Sequence, residues 1–506
     1  MKLLITYFVI LLFNIIHAYR ILYLFPFTTK SHMFVFEPLI EELAKRNHHI
    51  TIVSPYTFSL HQQQNIREII INIEDDNSKN MSTGRFSSYG NHILFQFISF
   101  KYVVKPGCEA YLKNFEVKEL LKQGKQFDVV IVSAIFNECA LATAPLLGKN
   151  IILHCSSAFL PWFNFHDSQL QLPSVVPVVM TPFVSKMNFL QRLDNGILFL
   201  AVRLLMEYNF VAAIQAVITE HLLQNPSVSE GFESIDLVFT NADPVITSPR
   251  PAIPTIIDLG GMHCRKAKPL SKEFEDFVES SGDYGFILFS LGSISQSKDL
   301  PVETIKSLLD GFSRLEQRVI WKYEKDLENV PKNVKISKWL PQKDLLGHAK
   351  IRLFITHGGM LSLQESVYNG VPVVAVPLFS DQPGNVARVE EIGIGVKLAL
   401  SNISGDSMYD AINKVLGDKR YAENLKRYSA IFHDFIENQV EKAAYWVEYV
   451  IRHKGTDHLR TGSKELNFFS IFTRCNCFYS LYLFIFAYVS MTILKLIVAK
   501  KIKNEH

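Results

Sequence analysis

An α/β fold with two doubly wound parallel sheets, followed by a separate apolar C-terminal helix, is predicted for this chain by three observations. Apolar strands alternate with amphipathic helices in two separate sets. A Pro-rich stretch from Asp243 to Gly261 falls between the sets and places a linker at 246–265. The length of 506 residues suits two domains plus accessory segments.

The first set opens with a strand at Ile21–Phe25, a helix from His32 to about Arg46 and a strand at Ile50–Ser54. Val129–Val132 and Ile151–His154 are later strands of the same half, which gives a domain over 19–245. The second set runs Phe286–Leu291, a helix after Pro301, Val319–Lys322, Val334–Ser337, Leu353–Thr356 and Val373–Val376, within a domain over 266–435. Ligands of such sheets bind beyond the carboxyl ends of the strands. His32, Ser293, His357 and Asp381 all lie just after predicted strands. The apolar, Pro-interrupted stretch Pro173–Leu205 reads as a lid over a lipophilic ligand combined with a membrane-contacting patch.

Charge and termini narrow the class. A net charge of +3 with scattered basic residues gives no footprint for nucleic acid. Residues 1–18 read as a signal peptide, with Lys2 before the apolar run Leu3–Ile16 and a cleavage site at Ile16-His17-Ala18. The run 477–499 is long enough for a bilayer of about 30 Å, and the basic tail 500–506 follows it. Positive residues on that side place the tail in the cytosol and the body across the membrane, a single-pass type I arrangement. Asn80-Met-Ser82 and Asn402-Ile-Ser404 are glycosylation sequons in the compartment that would use them. Cys108, Cys139, Cys155, Cys264, Cys475 and Cys477 show no metal-ligand spacing, and their pairing stays open.

The chemistry concentrates in Phe354 to Gln382, FITHGGMLSLQESVYNGVPVVAVPLFSDQ. A strand ends in His357, Gly358 and Gly359, and a helix follows. Glycines there allow a ligand close to the backbone, and a helix N-terminus offers N–H groups to a diphosphate. Ser362 and Glu365 share one helix face, and Ser362-Leu-Gln-Glu365 also reads as a capping box. Upstream stands Trp339-Leu-Pro-Gln342, where a Trp beside a rigid Pro can offer a flat face to a base; the same Trp also reads as a core residue.

WLPQKDLLGH followed by FITHGGMLSLQES and VPVVAVPLFSDQ resembles the signature of the UDP-glycosyltransferases, in wording closest to the insect branch. FPFTTKSH near the start, FSLGS at 289–293 and DHLRTGS before the last apolar run extend the resemblance over nearly the whole chain. The resemblance implies a GT-B fold, two Rossmann-like domains facing a cleft, with the acceptor in the first domain and the UDP-sugar in the second. It implies an inverting hexosyl transfer, with glucose favoured over glucuronate, to a small lipophilic acceptor for conjugation or detoxification. The UDP-sugar is a co-substrate; no cofactor and no metal are implied. An endoplasmic reticulum membrane location, possible homo- or hetero-dimers, and a helix near Val440–Arg452 within 436–470 that returns to the first domain also follow from it.

Carried onto this sequence, the family's catalytic base is His32. Its acidic partner falls at Ser133, in Phe127-Asp-Val-Val-Ile-Val-Ser133, where serine can fix a tautomer but cannot supply charge. Glu138 is the nearest acid in sequence. On the donor side, Trp339 stacks on uracil, Gln342 lies by the base and ribose, and Glu365 takes the ribose diol. His357, Gly358, Ser362 and Ser293 hold the diphosphate, and Asp381 and Gln382 hold the sugar. Arg250 matches a donor-side arginine, and Leu361 stands where many relatives have Asn. A second reading, a weakened binding or regulatory homologue, rests on Ser133 alone.

Overall fold

The computed structural model describes residues 18–58, 64–73, 93–158, 172–293, 296–434 and 438–460. The signal peptide, Asn80, the 477–499 apolar run and the basic tail lie outside the described residues.

Two fully parallel sheets form the framework. The first has seven strands in the order β3-β2-β1-β4-β5-β6-β7: β1 (Arg20–Leu24), β2 (His49–Ser54), β3 (Ile66–Ile70), β4 (Phe127–Ser133), β5 (Gly148–His154), β6 (Leu237–Thr240) and β7 (Ile256–Asp258). The second has six in the order β10-β9-β8-β11-β12-β13: β8 (Phe286–Ser290), β9 (Arg318–Lys322), β10 (Val334–Ser337), β11 (Ile351–Thr356), β12 (Val373–Ala375) and β13 (Gly395–Lys397). Strands covered on both faces are apolar throughout. Leu22 and Leu24 enter one core while Ile21 and Tyr23 enter the core on the opposite face. In the second sheet, Ile287 and Phe289 divide from Phe286 and Leu288 in the same way.

One boundary shifts. β7 pairs with β6 and completes the first sheet, so structure continues to Asp258 inside the stretch expected to be linker. A three-residue strand that closely follows Pro251 and Pro254 carries too little pattern to separate it from a loop.

The chain returns to the first domain at its end. The helix Gln439–His453 places Ala443, Ala444, Val447 and Val450 in the first-domain core. Glu448 meets Arg46 and His48 there, each at 3.2 Å. Beyond it, the Thr456 hydroxyl donates to the Asp236 carbonyl at 2.6 Å, and Arg460 donates to the Ile235 carbonyl at 2.9 Å.

The stretch expected as lid or membrane patch contains turns up to residue 188, then the helix Phe189–Leu205. That helix runs on through a π-helical segment, Met206–Val211, into Ala212–His221. A disulfide joins Cys108 to Cys139, with Cα atoms 5.6 Å apart, and so ties the helix Ile93–Lys113 to Glu138–Leu147.

Candidate active site

A cavity of about 500 Å³ opens between the carboxyl ends of the two sheets. It is lined from both domains and contains His32, Ser293, Trp339, Gln342, His357, Ser362, Glu365, Asp381 and Gln382. Nine residues scattered over 350 positions of sequence thus meet at one place, as ligand binding at strand ends requires.

His32 sits in the first turn of the helix Lys30–Lys45, which begins directly after β1. Thr29 caps that helix, its hydroxyl accepting the His32 backbone N–H at 3.4 Å. Burial lowers the His32 pKa to about 4, with no carboxylate offsetting it. The imidazole is therefore neutral near pH 7 and free to accept a proton. Around it the first domain supplies an apolar wall of Phe27, Phe34, Phe100, Phe136, Val179 and Met180, with Gln96, Ser156 and Ser157 as polar points. The Asn137 side chain holds this wall in place, accepting the Phe27 N–H and donating to the Phe27 carbonyl, both at 2.8 Å.

On the second-domain side of the cavity the predicted residues are wired together. Gln342 donates to the Ser362 hydroxyl at 3.1 Å and to the Glu365 carboxylate at 2.7 Å. Burial raises the Glu365 pKa, partly offset by Lys343 and the Gln342 bond. Glu365 belongs to the helix Met360–Asn369, which starts at Gly359 without a side-chain cap. Ser362 lies inside that helix, so the capping-box reading of Ser362 and Glu365 does not hold. Trp339 is 57% exposed in the cavity wall, whereas the core tryptophan of this domain is Trp321. An exposed indole at a cavity is a platform for a flat ring.

Two glycines explain the position of His357. A Cβ at Gly292, whose φ is +92°, would come within 2.7 Å of the His357 ring, and one at Gly359 within 2.5 Å. The imidazole is clasped between the loop after β8 and the turn after β11. Burial and then nearby Lys322 lower its pKa to about 4. Its Nδ1 has no partner among the described residues.

Asp381 and Gln382 carry structural duties besides facing the cavity. The Asp381 carboxylate accepts from Asn385 at 2.7 Å and from the Met360 backbone N–H, and burial raises its pKa. The Gln382 oxygen accepts the N–H groups of Leu378, at 2.7 Å, and Phe379, at 3.1 Å.

Three predicted site residues are not brought to the cavity. Gly358 lies beneath it, its carbonyl accepting from Asn385 at 3.1 Å, and Gly359 is the glycine that lines the wall. Arg250 is drawn to the edge of the first sheet, where it pairs with Asp258 and reaches Thr240 at 3.3 Å. A carboxylate on β7, hidden from sequence reading with β7 itself, accounts for that position. Ser133 is buried at the end of β4, in register with His154, outside the cavity wall. Glu138 is buried as well, and desolvation pushes its pKa up to about 8, so it carries no charge near pH 7. Leu361 lines the cavity and packs against the first-domain core, taking an apolar role at its position.

Sequence reading missed Lys322, Lys343, Arg265 and Asp344. Arg265 and Asp344 form a two-pronged ion pair at 2.6 and 3.3 Å that fixes the start of the helix Gln342–Leu346. Lys322 was discoverable in principle, since it ends the predicted strand β9 at the ligand-binding edge.

Two parallel α/β domains with a shared cavity at their strand ends define a glycosyltransferase of GT-B architecture. Residues 23–504 match the family model described as UDP-glucoronosyl and UDP-glucosyl transferase. The chain is 32% identical over 462 residues to UDP-glucuronosyltransferase 2B18 of Macaca fascicularis, covering 87% of this chain and 86% of that one. It is 30% identical over 457 residues to UDP-glucosyltransferase 2 of Dactylopius coccus, covering 89% and 87%. The fold matches the solved glycotransferase of kitacinnamycin with a TM-score of 0.58 at 16% identity, over 86% of this chain and 100% of that one. The chain belongs to the UDP-glucuronosyl and UDP-glucosyltransferase family, and it is a UDP-glycosyltransferase acting on small acceptors.

Proposed function

We propose that this enzyme transfers glucose from UDP-glucose, with inversion, to the hydroxyl of a small lipophilic acceptor. The observation that carries this reading is the shared cavity, in which neutral His32 and an apolar wall face the Trp339–Gln342–Glu365 cluster and the His357 turn. The acceptor lies against Phe27, Phe34, Phe100 and Phe136, with its hydroxyl toward His32. His32 takes the hydroxyl proton as the oxygen attacks the anomeric carbon and the bond to UDP breaks. Charge developing on the departing diphosphate meets the His357–Gly359 turn and the N-terminus of Met360–Asn369. Insect-like motif wording supports glucose over glucuronate. The body lies in the lumen of the endoplasmic reticulum, anchored by 477–499, with the exposed Asn402 available for glycosylation.

A weakened, binding or regulatory homologue is the second reading, favoured by the lack of a carboxylate acting on His32. Membranes carrying the full chain, incubated with UDP-glucose or UDP-glucuronate and a panel of phenols, separate the two. The first reading expects a glucoside that disappears in His32→Ala. UDP binding without any conjugate from the wild-type chain would overturn it and select the second.

A further inference from the structure

The diphosphate part of the proposed site contains no formal positive charge from the residues already assigned to it. His357 is neutral near pH 7, and Ser293, Ser362 and the glycine turn bring only dipoles. A helix N-terminus contributes roughly half a charge. A nucleoside diphosphate leaving group gains a full negative charge as the sugar departs. Three cationic side chains line the cavity among the described residues: Arg265, Lys322 and Lys343. Arg265 is committed to Asp344, and Lys343 lies over the Phe34 ring at 5.7 Å, on the first-domain side.

Lys322 is different in place and partners. It is the last residue of β9, next to β8, and only 8% exposed. Its ammonium donates to the Gly292 carbonyl at 2.5 Å, in the loop that clasps His357. It lies 5.5 Å from the centre of the Trp339 ring, and Glu324 approaches it at 3.5 Å. The cation thus stands between the indole platform and the imidazole, where a chain running from base to sugar must pass its phosphates.

We infer that Lys322 is a diphosphate-binding catalytic residue, which leaves the Gly292 carbonyl to pair with the phosphate oxygens of the nucleotide. The inference rests on the donor-site reading given above. Glu324 pairs with the ammonium and competes with the ligand for it. Lys322 then neutralises the leaving group without a metal ion and without a proton from His357.

The test compares uridine, UDP and UDP-glucose binding by calorimetry on the full-length protein in detergent. Lys322→Met keeps the alkyl stem and removes the charge. It should weaken UDP and UDP-glucose by roughly 10- to 100-fold while changing uridine by less than about 2-fold. Lys322→Arg should recover most of the UDP affinity. Glu324→Gln, which removes the competing carboxylate, should tighten UDP by a few-fold and leave uridine unchanged. Equal losses for uridine and UDP in Lys322→Met, or unchanged or weaker UDP binding in Glu324→Gln, would overturn the assignment. So would a loss confined to UDP-glucuronate, which would make Lys322 a reader of the sugar carboxylate. A wild-type chain that binds no uridine would instead sink the donor-site reading itself.

Discussion

Replacing Ser133 by Asp tests how this site activates its acceptor. Burial holds His32 at about 4, well below an ordinary histidine, a loss of proton affinity of roughly 3 kcal/mol. Position 133 ends β4, which lies beside β1, and Leu24 of β1 is in register with Val132. β1 leads straight into the loop and helix that carry His32, so a carboxylate at 133 sits at the same sheet edge. A negative charge within about 4–6 Å raises a histidine pKa by roughly 1–3 units, here to about 5–7. The assay is kcat/KM for glucoside formation from pH 4 to 8. Wild-type activity should hold down to pH 5, with an acid limb centred near 4. With His32 raised to about 6, the variant should keep roughly a tenth of its plateau at pH 5. If about half of the added basicity is felt in the transition state, its kcat/KM at pH 7.5 should rise by roughly 10-fold. A variant whose acid limb and plateau both match wild type would refute the reasoning, because position 133 would then have no electrostatic access to His32. A wild-type limb near 6.5 would refute the burial argument.

Three further outcomes are expected. Trp339→Ala should weaken UDP binding by roughly 5- to 150-fold, the range of one base-stacking contact, with little change in melting temperature because the indole is mostly exposed; calorimetry and a thermal melt check both. Gly292→Ala pushes a methyl into the His357 ring from a left-handed backbone position, so kcat/KM should fall at least about 10-fold and stability by about 1–3 kcal/mol, read by kinetics and urea unfolding. Glu138 holds its proton up to about pH 8 in the folded chain but releases it near 4.5 when unfolded, so its cost to stability grows as pH rises from 4.5 to 8. Glu138→Gln should therefore stabilise the protein by about 2–5 kcal/mol at pH 8 and by nothing at pH 4, measured as unfolding midpoints at the two pH values.

Much of the architecture could be read directly because parallel strands buried on both faces are continuous apolar runs. Phe286–Leu291 and Val129–Val132 stand out on that ground alone. β7 and β13 were missed because three residues cannot display a period, and β3 because two adjacent charges, Arg67 and Glu68, break the apolar run. The residues that meet in the cavity were legible through the order of their motifs, since Trp339, Gln342, His357, Ser362 and Glu365 lie within 27 positions on neighbouring elements. Arg250 was misplaced because its partner, Asp258, is brought close only by sheet pairing. Lys322 went unseen because a lysine ending a strand reads as an ordinary surface charge until the Gly292 loop folds over it. The clasp on His357 was equally hidden: Gly292 and Gly359 are 67 positions apart, and nothing local in either glycine names the ring between them.

The return of Gln439–His453 to the first domain sets the mechanics of the cleft. Phe432 packs in the second-domain core and Ala443 in the first-domain core, so the domains are joined by two segments of the chain rather than one. A body held at two points can rock about the line joining them but cannot swivel freely. The last described contacts, Thr456 and Arg460 on Asp236 and Ile235, fasten this segment to the first domain. The first domain therefore carries both ends of the described chain, and the second is an insert between them.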